Sequence, residues 1–205
     1  QGLRATSNFN PKKENGVLRI GILGDSIGFG HGVADNDVFS TLLNEELLRL
    51  PISEPKYEVL NFSVSGYGQA EQIVSYQNEG RRYDIDLWIL IYFVNDPADN
   101  LISGLYSVDE GGRVARQSDE FLPGLGVRNT LYSLCFTRFL QKHSHLWNHL
   151  RNRAAVIWQR YRLNTIGLKS YTDRSEESEK LAKALINELS LKIMADKARL
   201  IIVNM

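Results

Sequence analysis

The sequence predicts an α/β protein built on a parallel sheet, and two patterns indicate this class. Three apolar runs of strand length occur in the first half of the chain, at 17–23, 57–62 and 86–94. Each run ends in a glycine-rich or polar turn, and helical spacing of apolar residues follows the first two runs. Strands that alternate with helices favour a doubly wound sheet with right-handed crossovers.

The elements follow in order along the chain. After the first strand, helical spacing begins at Phe39 and continues to Leu50, and a second helix is predicted at 69–80. The run at 86–94 is apolar almost throughout, which is typical of a strand that is covered on both faces. Near the end, Ser175 predicts a helix N-cap. Apolar residues at helical spacing follow it and lead to a fourth strand, Arg199–Asn204: Leu181, Leu185, Leu189 and Ile193.

The segment between the third and fourth strands departs from this alternation. Two short runs around 106–108 and 113–115 flank a turn at 109–112 and predict a small hairpin. Residues 129–163 have a helical pattern, so 101–172 is interpreted as an insertion on a single domain of 205 residues. Residues 1–16 are predicted to be an irregular lead-in.

Composition excludes several classes of function. Lys plus Arg and Asp plus Glu both total 24, so a net charge of zero gives no reason to expect a nucleic-acid partner. The longest apolar run, 87–94, is too short to span a bilayer. The single cysteine, Cys135, cannot form an internal disulfide and is interpreted as a packing residue.

Three motifs stand at the ends of the three predicted strands. The first is the run from Gly24 to Val33, which begins Gly-Asp-Ser, and the second is Asn61–Gly68; the third is Asn95-Asp96. In this order they resemble the SGNH hydrolases, the GDSL-type esterases and lipases. Two positions depart from the family pattern, since Ile27 replaces a leucine and Phe93 stands where many members have glycine.

The resemblance implies a flavodoxin-like three-layer α/β/α fold and a serine esterase, and we expect the four strands in the order 2-1-3-4. Ser26 would attack a carboxylic ester to form an acyl-enzyme. The backbone N–H groups of Ser26 and Gly66, with the side-chain amide of Asn95, would stabilise the oxyanion. His31 and Tyr67 are expected to contact substrate, Asp25 and Asp96 to brace the turns, and no metal or organic cofactor is implied.

Each of these residues also has a purely structural interpretation, and other functions stay open. Ser26 could cap a helix, Gly66 could serve a turn and Asn95 could form an Asx-turn. The alternatives to an esterase are a non-catalytic ester- or glycan-binding module and an O-acyltransferase. A phosphate binder that uses the glycine-rich loop is a further alternative, although the chain lacks the established phosphate-loop fingerprints.

The general base is missing from the pattern. The family supplies a histidine in a late Asp-x-x-His block, which does not occur here. The chain offers His31, His143, His145 and His149, of which only the last two could share a helix face for a metal. We therefore expect the polypeptide to continue past Met205, with a last strand and helix that carry the histidine. The lead-in also resembles bacterial members with an upstream anchor or signal, which suggests an extracytoplasmic location.

Overall fold

The computed structural model describes residues 3–4, 9–51, 55–118 and 175–205, together with some positions between 140 and 165. The described part of the chain forms a parallel four-stranded sheet with helices around it, a three-layer α/β/α arrangement. Its strands stand in the order β2-β1-β3-β6, which confirms the predicted fold class: β1 (Val17–Leu23), β2 (Lys56–Asn61), β3 (Leu87–Tyr92) and β6 (Arg199–Asn204).

The register brings the carboxyl ends of the three central strands together. Ile22 of β1 lies opposite Asn61 of β2, and Leu23 lies opposite Leu90 of β3. Because all four strands run in the same direction, the turns that follow β1, β2 and β3 leave the same edge of the sheet.

Each face of the sheet carries its own apolar core, because successive side chains of a strand point to opposite faces. On one face, a cluster that includes Ile20 and Ile22 packs against two leucines, Leu43 and Leu47. On the other face, Trp88 and Leu90 pack in a larger cluster that also holds side chains from two of the helices.

Five α-helices have both ends within the described residues: α1 (Ser26–Phe29), α2 (Phe39–Leu48), α3 (Gln69–Asn78), α4 (Asp96–Ser103) and α5 (Glu176–Ala195). The predicted N-cap of α5 is confirmed, since the Ser175 side chain accepts a hydrogen bond from the Ser178 N–H at 3.1 Å. All four residues of the predicted apolar stripe on α5 are buried.

The predicted pattern of α2 holds only in part. Its inner face carries Ser40, Leu43 and Leu47, whereas Phe39 and Leu42 are nearly half exposed. Helical spacing alone does not show which side of an amphipathic stretch meets the sheet.

The polar segment after β3 is a helix, although the sequence predicted a turn over 95–100. Pro97 occupies a position in the first helical turn, where its missing N–H costs no hydrogen bond. Asp96 and Asp99 lie in the same turn, where the helix dipole favours acidic residues. A turn at 93–95 therefore leads from β3 into α4.

Arg19, the one charged residue of β1, is buried and paired. Its Nε donates to Glu58 Oε2 at 2.6 Å, and its Nη1 donates to the carbonyls of Pro11 and Tyr83. Pairing of this kind is what allows a guanidinium to lie in a core. The contact with Pro11 also fastens the lead-in to the sheet.

The remaining elements complete the described chain. The predicted hairpin is present as β4 (Tyr106–Val108) and β5 (Val114–Arg116), which pair antiparallel. Most of the predicted helical insertion, and Cys135 with it, lies outside the described residues.

Strand β6 forms an edge of the sheet, and its residues Ile201, Ile202 and Val203 are exposed by a third or more. Among the described residues, no helix combines the length and apolar character needed to cross a membrane.

Candidate active site

The turns after β1, β2 and β3 carry Ser26, Gly66 and Asn95, and these strands are neighbours in the sheet. Hydrogen bonds beyond the strand ladder hold the first two turns together, since the Phe62 N–H donates to the Ile22 carbonyl at 2.8 Å and the Val64 N–H to the Gly24 carbonyl at 3.1 Å. The three predicted residues thus stand on adjacent turns at one edge of the sheet.

Ser26 is the first residue of α1, and Asp25 is the N-cap. Asp25 is 1% exposed. Its Oδ1 accepts the Ile27 N–H at 2.8 Å, and its Oδ2 accepts the Ser26 hydroxyl at 3.3 Å. The first bond is the usual capping contact, whereas the second is long for a hydroxyl donor. Ser26 itself is only half-buried, so its hydroxyl lies at the protein surface on a helix of a single turn.

Asn61, at the end of β2, fixes α1 to the sheet. Its Nδ2 donates to the Gly28 carbonyl at 2.9 Å and to Ser40 Oγ at 3.1 Å, and its Oδ1 accepts the Ser63 N–H at 2.9 Å. Gly28 approaches the neighbouring turn so closely that a Cβ there would lie 2.5 Å from Ser63 Oγ. Asn61 and Ser63, in and just after β2, therefore hold α1 in place.

Gly66 has a left-handed backbone, with φ at +84°, and is exposed. Among the described residues, neither its N–H nor that of Ser26 donates a hydrogen bond. Unused N–H groups are expected in the first turn of a helix, which accounts for Ser26. Both are donors that an oxyanion could use.

Asn95 immediately precedes α4, and its side chain is held by that helix. Its Nδ2 donates to Asp99 Oδ2 at 2.6 Å, which leaves the second hydrogen of the amide nitrogen for another acceptor. Its Oδ1 is buried and has no hydrogen-bond partner in the described part of the chain. The hydrogen bond from Nδ2 to Asp99 is thus the contact that orients the Asn95 amide.

Asp96 braces the same turn. Its Oδ2 accepts the Phe93 N–H at 2.9 Å and Gln69 Nε2 at 2.6 Å. Burial, together with the charges of Asp25 and Asp99, raises the pKa of Asp96 to about 7 against the lowering effect of the two hydrogen bonds. The carboxyl therefore changes charge near neutral pH.

Two further carboxyl groups behind the site behave in the same way. Burial raises the pKa of Asp99 to about 7, aided by the nearby charge of Asp25 and opposed by the hydrogen bond from Asn95. Burial raises the pKa of Glu71 to about 8, although hydrogen bonds from backbone N–H groups lower it. One of these donors is the Gly68 N–H, at 3.0 Å from Glu71 Oε2.

A chain of amide side chains connects the second turn with the third. Asn100 Oδ1 accepts the Ala70 N–H at 2.9 Å, and its Nδ2 donates to Gln69 Oε1 at 2.7 Å. Gln69 in turn donates to Asp96. Because each contact is buried, breaking one would leave a polar group without a partner, so the network fixes α3 against α4.

Arg4 holds the loop that follows α1. Its Nη1 donates to the carbonyls of Phe29 and Gly30 at 2.7 and 2.6 Å, and its Nη2 donates to the Val33 carbonyl at 2.7 Å. The same nitrogen lies 3.0 Å from Asp35 Oδ1. A single guanidinium thus satisfies three carbonyls and a carboxylate in the stretch from 29 to 35.

The predicted substrate contacts lie at the surface near the site. The His31 side chain is exposed, while the backbone N–H of His31 donates to the Ser26 carbonyl at 2.9 Å. Tyr67 is half-buried in the turn that carries Gly66. His143, His145 and His149 are exposed, and the described residues include no group of three or more His, Cys, Asp or Glu side chains that could hold a metal.

Sequence reasoning missed several contributors to this edge of the sheet, among them Arg4 and Asp99. Arg4 stands in a lead-in without periodicity, so no signal in the sequence marks it. Asp99 follows Asn95 by four residues, the spacing at which helical side chains meet. That spacing would have marked the pair had 95–100 been predicted as helical.

Comparisons with known proteins add no information about this site. No model of a known protein family matches this chain, and no curated protein matches it.

Proposed function

We propose that this protein hydrolyses carboxylic esters, with Ser26 as the nucleophile of an acyl-enzyme route. The observation that carries the proposal is the arrangement of three adjacent parallel strands, β2, β1 and β3, whose following turns bear Gly66, Ser26 and Asn95. A hydroxyl, two unused backbone N–H donors and one side-chain amide supply the nucleophile and the oxyanion donors for ester hydrolysis, to which a general base must be added.

In the proposed mechanism the Ser26 oxygen attacks the ester carbonyl and gives a tetrahedral oxyanion. The N–H groups of Ser26 and Gly66 and the remaining N–H of Asn95 donate to that oxygen. Collapse of the oxyanion breaks the ester C–O bond, the base returns the Ser26 proton to the leaving oxygen, and the alcohol departs to leave an acyl-serine, which water then hydrolyses. Removal of one such side-chain donor costs on the order of 10²–10³ in rate, so we expect Asn95→Ala to lose that much.

The proton of Ser26 needs an acceptor. Among the described residues its hydrogen-bond partner is Asp25, whose other oxygen is committed to the cap of α1. A histidine elsewhere in the protein is the base in this proposal, as in the family that the motifs resemble. The proposed substrate is a small-molecule or glycan ester, and no nucleic acid and no cofactor takes part.

A test that does not depend on the base is labelling by a fluorophosphonate with imidazole added to the buffer, since free imidazole can accept the serine proton. The expected result is labelling of the wild-type chain and its loss in Ser26→Ala. Ser65→Ala, which alters an exposed serine in the neighbouring turn, is the matched control and should label normally. Equal labelling of Ser26→Ala and wild type would exclude Ser26, and an unlabelled wild type would exclude the hydrolase.

A further inference from the structure

The contact between Asn95 and Asp99 carries an inference about how the proposed site is controlled, and this inference rests on the proposed function. Asn95 Nδ2 lies 2.6 Å from Asp99 Oδ2. An ionised carboxylate only accepts hydrogen bonds, so it can pair with the nitrogen end of the amide but not with the oxygen end. The buried Oδ1 of Asn95 has no partner among the described residues that would fix it independently.

We propose that Asp99 is a positioning residue, and that ionisation of its carboxylate selects the orientation of the Asn95 amide that supplies an N–H to the oxyanion. With Asp99 ionised, a half-turn of the amide would bring Asn95 Oδ1 against a negative oxygen, which is repulsive. With Asp99 protonated, its O–H can donate to Oδ1, and the turned amide becomes allowed. In the turned amide the oxygen and nitrogen have exchanged places, so its N–H groups no longer point to where the oxyanion would be bound.

The surroundings of Asp99 place this change near neutral pH. Asp25, from the turn after β1, raises the pKa of Asp99, and Glu71 on α3 and Asp96 on α4 both respond to charge on Asp99. The buried face of α5, which packs against α4, carries no charged residue. Strand β4 contributes one titratable side chain, the phenol of Tyr106. Carboxyl groups thus dominate around Asp99, and burial raises its pKa to about 7.

The direct test follows the side-chain amide of Asn95 by NMR on the ¹⁵N-labelled chain, with its signals identified by their absence in Asn95→Ala. We expect these signals to shift across a titration from about pH 5 to about pH 9, with a midpoint near neutrality. Asp99→Asn should abolish the shift, because asparagine keeps the size of the side chain and cannot ionise. Asp96→Asn is the matched control, since Asp96 also titrates near neutrality but contacts Phe93 and Gln69, and the Asn95 shift should persist in it.

A pH-independent Asn95 amide in the wild-type chain overturns the proposal, and so does an unchanged titration in Asp99→Asn. The wild-type titration needs no variant, so it decides the matter even if Asp99→Asn does not fold.

A labelling cycle then separates this role from a purely structural one. Asp99→Asn should slow labelling of Ser26 in the wild-type background and have no further effect in Asn95→Ala, because it acts through Asn95. Equal slowing in both backgrounds would overturn the positioning role. Absence of Ser26-dependent labelling together with a titrating Asn95 amide would exclude the hydrolase instead, so the two failures are distinguishable.

Discussion

The guanidinium of Arg4 lies over the ring of Phe29, with Cζ 4.6 Å from the ring centroid, and also donates to the Phe29 carbonyl at 2.7 Å. The two residues are separated by 25 positions, and Phe29 is the last residue of the helix that begins at Ser26. The lead-in of the chain therefore holds the far end of the helix that carries the proposed nucleophile.

Replacement of Arg4 tests this clamp. Arg4→Ala leaves three carbonyls of the loop without their charged donor, and hydrogen bonds to charged groups contribute about 1.5–3 kcal/mol each. Because the side chain is 15% exposed and water can replace part of the contact, we expect a loss of about 2–3 kcal/mol in the free energy of unfolding. Urea denaturation measures it.

The matched control for the clamp is Arg49→Ala. Arg49 is an exposed arginine that pairs with Glu46 three residues before it on the surface. Such pairs contribute about 0.5 kcal/mol or less. A loss in Arg4→Ala no larger than that of Arg49→Ala would contradict the clamp.

Gly66→Ala separates backbone strain from function. The φ of +84° is unfavourable for alanine, but a Cβ at this position would meet no atom within 4 Å. We expect a loss of about 1–2 kcal/mol in the free energy of unfolding, from the left-handed backbone alone. Labelling of Ser26 should slow as well, since any relaxation of φ turns the Gly66 N–H.

Gly112→Ala is the control for this glycine. Gly112 has φ at +79°, equally open space at its Cβ and a place in the turn between β4 and β5. It should lose a similar amount of stability and label at the wild-type rate. Equal labelling of Gly66→Ala and Gly112→Ala would remove Gly66 from the proposed oxyanion site.

Asn61→Ala is expected to be strongly destabilising. It removes the partners of the Gly28 carbonyl, the Ser40 hydroxyl and the Ser63 N–H, all in a buried region. Unsatisfied buried polar groups cost about 1–3 kcal/mol each, and relaxation shares the cost, so we expect a loss of about 3 kcal/mol by chemical denaturation. Asn44→Ala, which removes a single contact of 3.3 Å to the Val59 N–H, should lose about 1 kcal/mol or less. Equal losses in the two variants would contradict the bridging role of Asn61.

The buried carboxyl groups predict that stability falls as pH rises. The folded protein holds the proton of Glu71 up to a pKa of about 8, whereas the unfolded chain releases it near the ordinary glutamate pKa of 4.5. The native state therefore binds more protons in this interval, and the free energy of unfolding decreases as pH rises through it. Thermal unfolding across the interval measures the slope.

Glu71→Gln should flatten part of that slope, because a glutamine oxygen still accepts the Gly68 N–H but carries no titratable proton. Glu79→Gln, on an exposed residue at the end of α3, should leave the slope unchanged. A slope in Glu71→Gln as steep as that of the wild-type chain would show that Glu71 is not one of its sources.

Much of the fold could be predicted because the residues that define each strand or helix are close together in the sequence. The apolar residues of β1, of β3 and of the α5 stripe each stand close together along the chain, so an apolar run or helical spacing is enough to predict the element. The strand order was also predicted, since short right-handed crossovers leave few arrangements for a parallel sheet. The α4 segment was mistaken for a turn because its polar residues are buried by α3 and α5, which local polarity does not reveal.

The sequence by itself determined the strands, the turns after β1 and β2, and the three residue types that make an ester hydrolase the leading hypothesis. Only the tertiary structure decided that Asp99 holds Asn95, that Arg4 holds the loop after α1, and that three carboxyl groups behind the site titrate near neutrality. The Arg4 clamp joins residues 25 to 31 positions apart. The carboxyl shifts depend on burial, a property of the packed chain, so neither could be read from spacing along the sequence.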